Sequence, residues 1–462
     1  MSAPTSDNSP SSGPAQGIAR RILRNTAWLL GGKGFGGLCS LIYLAILSRS
    51  LGVKYFGHFS LIFGTAQALV AIAGFQTWQS IVRYGAAYVH DQDWARFARL
   101  SMLCGAVDAV GSLLGCAIAV IVFTGFASML DLNPAYVTMA LAFNCALMWG
   151  RVSAPTGIMR ALNRFDMAVY VEAMVPIGRL FAAAFIWWYG PTVGRFLFAW
   201  AAIDILSAIA YWVMALRLNP GRRTPGGSHF SALLQIRAAW KENPGIGSFL
   251  LATSGAGTLD AAYKQGPLLA VGYFLGTSAA GLYRLADQLA QGFSKLSTLL
   301  ARAIYPEVNR ARVAHSVDQF QRMVKRINQV SGIAGAIVVL VAIALGNQLL
   351  GLIGGAAFER GGAVLVPLAI AASFGLASVA FEPVLHSTGR ARQALVGRLA
   401  SVVALGVAIA LLEGFGAIGI AWSVCIAAAV GYLALGIMAF VAMRRMRLDD
   451  QMAELQDTPP QA

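Results

Sequence analysis

Charge is what this chain has least of. Asp, Glu, Lys and Arg make up only 12% of its 462 residues, hydrophobic residues make up 57%, and the mean hydropathy is +0.65. Soluble domains carry about a quarter charged residues, so a water-soluble globular fold is excluded. Cysteine is scarce as well. Cys39, Cys104, Cys116, Cys145 and Cys425 all fall inside apolar runs and form no CxxC or Cys/His cluster, which excludes a disulfide framework and a cysteine-based metal site. The period-two alternation of a polar-lumen barrel is missing. Acidic residues number 20 against 35 Lys plus Arg, a net charge of +15. In a soluble chain that excess points to nucleic acid, but here the basic residues sort by side of a membrane, and nucleic acid is set aside.

Apolar length is what the chain has in abundance. A helix needs about 20 mostly apolar residues to cross the hydrocarbon layer. On that basis spans are predicted over 25–48, 55–75, 100–124, 135–156, 166–188 and 196–216, then over 245–275, 279–302, 328–352, 363–385, 396–414 and 416–442. The predicted class is an all-α polytopic membrane protein of about 12 transmembrane helices in two six-helix bundles. The 50 glycines suit helices that pack backbone to backbone. A kink is expected at Gly266-Pro267 in the long seventh span. The predicted organisation is a cytoplasmic tail over 1–19, a lobe over 20–216, a cytoplasmic linker over 217–244, a second lobe over 245–443 and a tail over 444–462. Residues 1–17 are rich in Ser, Pro and Gly and lack Lys and Arg, as in a disordered tail and unlike a cleaved signal peptide.

Orientation follows from the basic residues. With the N-terminus inside, Arg20, Arg21, Arg24, Arg83, Arg96, Arg99, Arg151, Arg160 and Arg164 face the cytoplasm, as do the groups around Arg217 to Lys241, Arg302 to Arg326, Arg390 to Arg398 and Arg444 to Arg447. Only Arg49, Lys54, Arg195 and Arg360 fall on outer connections. Both termini are therefore expected in the cytoplasm.

The halves repeat one another. LGVKYFGHFSL from Leu51 matches LGTSAAGLYRL from Leu275 as L-G-x-x-x-x-G-x-[FY]-x-L at an offset of 224, and Gln67 and Gln291 share that offset. Each copy occupies the outer turn between the first and second span of its half, so the repeat is parallel. Transporters built from paired bundles hold substrate between them and expose it to each side in turn.

Ionisable groups inside a bilayer cost about 2.5 to 3.5 kcal/mol each on insertion scales and are candidates for function. The basic ones are Lys33, Arg179, Lys264, Arg284 and Lys295; the acidic ones at depth are Asp108, Asp204, Asp260 and Asp287, with Glu172 and Glu382 nearer the cytoplasmic ends. Arg284, Gln288, Gln291 and Lys295 recur at helical spacing on the eighth span with Asp287 alongside, one polar stripe on an apolar helix that calls for water or polar ligand beside it. Asp260 and Lys264 are four apart and share a face. Depth also matches Arg179 with Asp204, Lys33 with Asp108 and Lys264 with Asp287, so packing pairs stand beside the functional reading. On that functional reading Lys264, Arg284, Lys33 and Lys295 form a cationic lumen for an anionic headgroup such as a pyrophosphate, and Asp260 and Asp287 carry a coupling ion. No nucleophile constellation, metal-ligand spacing or phosphate-binding Gly loop is present, so neither an enzyme nor a cofactor is predicted. The stretch from Thr77, with Trp78, Tyr84, Tyr88, Trp94 and Arg83, reads as an interfacial amphipathic connector.

Several segments resemble the polysaccharide and oligosaccharide transporter family: SRSLGVKYFGHFSL from Ser48, QSIVRYGA from Gln79, GIMRALNRFD from Gly157, GYFLGTSAAGLYRLADQLA from Gly272, AIYPEVNRA from Ala303 and HSTGRARQAL from His386. The resemblance runs from about residue 20 to 442. It implies the fold of the multidrug, oligosaccharidyl-lipid and polysaccharide exporter superfamily, two lobes facing each other through spans one, two, seven and eight. It also implies translocation of an isoprenoid-pyrophosphate-linked oligosaccharide across the bacterial inner membrane for O-antigen, capsule or exopolysaccharide synthesis, with a polymerase and chain-length proteins as partners and a proton or sodium ion for coupling. On that resemblance Lys33, Asp260, Lys264, Arg284, Asp287 and Lys295 sit on cavity-lining helices. The peptidoglycan-precursor flippases of the superfamily look like fourteen-span proteins and this chain is predicted to stop after twelve, which favours surface polysaccharide. Two readings compete: a cation-coupled multidrug exporter and a non-transporting partner of a synthase complex.

The charge sorting has a direct check. A fluorescent protein fused after the last residue is expected to fluoresce in cells, and alkaline phosphatase at the same place to stay inactive; active phosphatase there overturns the orientation.

Overall fold

The computed structural model describes the backbone of residues 14–125, 131–218, 229–314, 317–387 and 390–457, and their side chains except at 14–35, 165–169, 229–233, 293–323, 326, 386–387, 391 and 446–457. The apolar runs form helices, and every predicted span falls on a helical limb. In order these are α1 (Pro14–Ala73), α2 (Thr77–His90), α3 (Trp94–Gly125), α4 (Pro134–Trp149), α5 (Ala154–Ala161), α6 (Phe165–Tyr189), α7 (Val193–Leu218), α8 (His229–Glu242), α9 (Ile246–Ala314), α10 (Val317–Gly354), α11 (Gly362–Ala377), α12 (Phe381–Ser387), α13 (Ala391–Leu412) and α14 (Gly416–Asp457). Among the described residues there is no strand. Eight stretches of the described residues are long and apolar enough to cross a membrane, and three of them, Gly36–His90, Ile246–Gly292 and Arg392–Arg445, contain a reversal at Gly52, Gly276 or Gly416.

The internal repeat has a physical cause at most of its fixed positions. Its first glycine takes a left-handed conformation in both copies, Gly52 at φ 68° and Gly276 at φ 78°. A side chain there would be strained, so glycine lets each helix turn back on itself at one residue. Its second glycine lies where the two turns cross. A Cβ added to Gly57 would sit 1.8 Å from the Thr277 carbonyl oxygen, and one added to Gly281 would sit 2.3 Å from the Val53 carbonyl oxygen. The remaining positions, Leu51, Phe59 and Leu61 in one copy and Tyr283 and Leu285 in the other, are buried in the large central core.

From this crossing the second limb of α1 and the first limb of α9 run antiparallel in contact. Leu61 packs on Gly272 and Leu268 on Gly64. Farther along, the Thr258 hydroxyl donates to the Ala71 carbonyl at 3.2 Å and the Gln76 amide donates to Ser254 Oγ at 3.2 Å. Around the crossing, Arg49 donates to the carbonyls of Leu352 and Ile353, Asp131 accepts from the Thr277 amide and hydroxyl at 3.2 Å each, and Phe56 meets Phe358 edge to face at 5.8 Å.

Three details differ from expectation. The fourth span stops at Trp149, not 156: the chain breaks at Gly150 and restarts as α5, with Ala154-Pro155 at its start, where proline's missing N–H costs no helical bond. The second half repeats this device, α11 followed by the short α12. Gly266-Pro267 keeps helical dihedral angles, and the non-helical point of α9 is Gly276. Within the 217–244 stretch, α8 is fastened to α3 by Arg99, which grips both oxygens of Glu242 at 2.6 and 3.2 Å.

The crossing leaves no room for a methyl group on either side, and its neighbours are backbone atoms that cannot rotate away. Gly57→Ala is expected to cost about 1 to 3 kcal/mol of stability, read as a lowered unfolding midpoint in detergent, whereas Gly37→Ala, with open space around it, is expected to leave the midpoint unchanged.

Candidate functional site

The two limbs of α9 diverge from Gly276 and, with α11, α13 and α14, enclose a cavity of about 460 Å³ in the second half of the chain. Tyr263, Lys264 and Pro267 enter it from the first limb, and Tyr283, Asp287 and Gln291 from the second. Small residues form much of the opposite wall, among them Ala371, Ala372, Gly375, Ala428 and Gly431, with Ser378, Ser401 and Tyr432 between them. The spacing of Tyr283, Asp287 and Gln291 at intervals of four explains why one stripe of the second limb supplies its polar side.

The charges at this cavity are paired. Lys264 Nζ lies 2.8 Å from Asp260, one turn away on the same limb, and both are about half exposed. Arg284 is 8% exposed and lies 3.4 Å from Asp287, which also accepts a hydrogen bond from Gln291 Nε2 at 2.8 Å. An ammonium with its carboxylate and a guanidinium with its carboxylate sum to no net charge. Of the expected cations with described side chains, Lys264 lines the cavity and Arg284 stands behind the wall, paired with Asp287. Low dielectric is the reason, since a buried ion without a counterion is far more costly than an ion pair. Gln291 lines the cavity; Gln288 and Asp260 are absent from its lining. The side chains of Lys33 and Lys295 lie outside the described residues.

The first half holds two structural charge clusters. Arg179 donates to both oxygens of Asp204 at 2.9 and 2.8 Å, and its guanidinium lies 5.5 Å from the Phe63 ring centre and 5.6 Å from that of Trp200. Asp108 accepts from the Thr77 hydroxyl at 2.8 Å and from the Ala154 amide at 2.7 Å, with Arg151 Nη1 at 3.6 Å. Arg151 also donates to the Phe75 carbonyl, and Ser153 Oγ bridges Thr77 and the Trp78 amide. The described partners of Asp108 are thus Thr77, Arg151 and the start of α5; the expected pairing with Lys33 lies outside the described side chains. Sequence reasoning took Arg151 for a cytoplasmic-loop residue. The signal that identifies it is the Gly150 break placed just before Ser153-Ala154-Pro155, which returns the chain to Asp108 in the middle of α3. The tyrosines of the cavity were also missed, because on an apolar helix a tyrosine reads as core.

At the connector, the Arg160 guanidinium covers the Trp78 ring at 4.4 Å and Arg83 covers Phe249 at 4.5 Å, so α2 is stitched to both halves.

This arrangement, all-α, multi-pass and built around two bent helices that cross at paired glycines with a polar cavity beside them, defines a membrane protein with the fold of the multidrug, oligosaccharidyl-lipid and polysaccharide exporter superfamily. Solved structures agree. The chain superposes on an inward-facing multidrug resistance MATE family transporter with a TM-score of 0.62 at 14% identity, covering 88% of this chain and 95% of that one. It superposes on the lipid II flippase MurJ in an inward closed conformation with a TM-score of 0.61 at 11% identity, covering 93% of each. Within that fold the chain belongs to the polysaccharide biosynthesis protein family, whose model matches residues 22–311. Among curated proteins it is similar to the inner membrane protein YghQ of Escherichia coli K12, 27% identical over 356 residues that make up 74% of this chain and 94% of that protein.

The two kinds of pair differ in cost. Asp108→Ala leaves Arg151 buried without its carboxylate and is expected to cost about 3 to 5 kcal/mol, while Asp260→Ala, at a half-exposed pair, is expected to cost at most about 1 kcal/mol. Unfolding midpoints of the two purified variants check the order.

Proposed function

We propose that the protein is a flippase that carries an isoprenoid-pyrophosphate-linked oligosaccharide from the cytoplasmic to the outer leaflet of the bacterial inner membrane, for surface polysaccharide synthesis. The observation that carries this reading is a cavity with polar groups on its α9 side, set among the apolar helices of a polysaccharide biosynthesis family member, beside the crossing of the two bent helices. A substrate with an anionic headgroup, a polar saccharide and a hydrocarbon tail needs a water-filled path for the first two and lipid for the third. The similarity of YghQ, an inner membrane protein, supports the location, and the sorting of Lys and Arg supports cytoplasmic termini. The lipid bilayer is the protein's solvent, and a polymerase and chain-length proteins are its proposed partners downstream.

Lys264 is the proposed contact for the pyrophosphate as it passes the cavity, since it is half exposed, lines the cavity and keeps unused N–H donors. Lys33 and Lys295 are the proposed contacts closer to the cytoplasm. Asp260 and Asp287 are the proposed sites of a coupling proton or sodium ion. A multidrug exporter of organic cations is disfavoured by one observation: Arg284 and Gln291 already hold Asp287, the carboxylate of the cavity wall. A non-transporting assembly partner would have no use for a polar cavity whose walls must be kept from collapsing.

The test is made in cells. Deleting the gene is expected to leave the surface undecorated and to build up lipid-linked oligosaccharide in the cytoplasmic leaflet, cleared by the wild-type chain and cleared at least about tenfold more slowly by Lys264→Ala, the loss expected for one charge-assisted hydrogen bond. A normal pool with new sensitivity to cationic drugs replaces the proposal with the multidrug reading.

A further inference from the structure

The cavity enclosed by α9, α11, α13 and α14 has more shape and polarity than a passage for a pyrophosphate requires. We infer that it is a saccharide subsite, which receives one or two neutral sugar rings of the transported oligosaccharide while the pyrophosphate stays outside at Lys264; this rests on the flippase reading above.

The first ground is charge. Lys264 with Asp260 and Arg284 with Asp287 leave the cavity without net charge, so nothing pulls a multiply charged pyrophosphate from water into its interior. A neutral polyol bears no such penalty. The second ground is the supply of hydrogen-bonding groups. Tyr263, Tyr283 and Tyr432 all line the cavity, and none of their hydroxyls is hydrogen-bonded to another described group. Gln291 spends one N–H on Asp287 and keeps its carbonyl oxygen free, and the Ser401 hydroxyl donates to the Gly397 carbonyl and keeps its lone pairs. Pro267 has no N–H, which leaves the Tyr263 carbonyl without its usual i+4 donor on the cavity side. Groups that both donate and accept match the hydroxyls of a sugar better than any ion.

The third ground is shape. The wall facing Tyr263 and Tyr283 is built largely of Ala371, Ala372, Gly375, Ala428 and Gly431, which leaves a broad slot of about 460 Å³, within the range of pockets that hold small organic molecules. Tyr432 is wedged against Phe374 and Phe381, with ring centres 5.7 and 5.5 Å away, so its ring is a fixed surface. A fixed aromatic surface suits the apolar C–H face of a pyranose while hydroxyls at the ring edge meet Gln291 and the phenols.

The experiment uses the full-length protein in nanodiscs and saturation-transfer NMR with three probes: maltose, N,N′-diacetylchitobiose and sodium pyrophosphate as competitor. At least one disaccharide is expected to take up saturation through its ring C–H protons, to resist millimolar pyrophosphate, and to bind about tenfold more weakly to Tyr432→Leu, the loss expected for one aromatic contact. Tyr432→Phe, which keeps the ring, is expected to retain the C–H saturation and so separates lost stacking from misfolding. If neither disaccharide is saturated by the wild-type protein, or if pyrophosphate displaces the signal, the subsite is overturned. The flippase reading is judged separately by the lipid-linked pool in the deletion strain: a pool that accumulates without disaccharide binding leaves the flippase and removes only the subsite.

Discussion

The structure depends on one contact between backbones. At the crossing of α1 and α9, Gly57 lies against Thr277 and Gly281 against Val53 with no side chain between them. Inside a bilayer there is little hydrophobic force to hold helices together, so association rests on close van der Waals approach, which glycine alone permits at this distance. Two further glycines, Gly52 and Gly276, reverse each helix just before the crossing. The same four residues therefore set where each helix turns, how close the halves come, and which limbs are free to diverge. The cavity exists because the limbs of α9 separate below this point while the small residues of α11 and α14 leave space between them.

A second constraint is charge balance in low dielectric. Four ion pairs stand out among the described residues: Arg179 with Asp204, Arg151 with Asp108, Lys264 with Asp260 and Arg284 with Asp287. The first two are wrapped by aromatic rings or backbone amides and act as fixed joints. The last two border the cavity and are each formed within one helix, so they move with it as α9 moves. A carrier whose polar groups travel with one half, already neutral, can be exposed to either side without moving an uncompensated charge through lipid.

Much of this was legible in the sequence. The class, the helical limbs and the paired turns follow from apolar length and from the repeat at Leu51 and Leu275, because bilayer thickness and glycine conformation act locally. Pairing was legible where both partners lay at equal depth on neighbouring helices, as with Arg179 and Asp204. The contact of Asp108 with Arg151 was not legible, because depth counting assumed an unbroken fourth span, and the break at Gly150 brings Arg151 back to the middle of α3. Nor was the electrical state of the cavity readable, since a stripe of Arg284, Gln288, Gln291 and Lys295 shows its cations plainly and hides that Asp287 cancels Arg284 across one turn. The tyrosines are the plainest case: only the three-dimensional arrangement separates a phenol lining a cavity from one filling a core.

If the proposed flippase exposes its substrate to each side in turn, the contact around the glycine crossing has to open in each cycle. Arg49 of α1 ties it to the end of α10 through the carbonyls of Leu352 and Ile353. Introducing Arg49→Cys and Ile353→Cys into a chain without its native cysteines, and joining them with a reducible bis-maleimide, fixes that contact directly. Translocation of lipid-linked oligosaccharide in proteoliposomes should stop on cross-linking and resume on reduction. Unchanged translocation with the two ends tied would contradict the account.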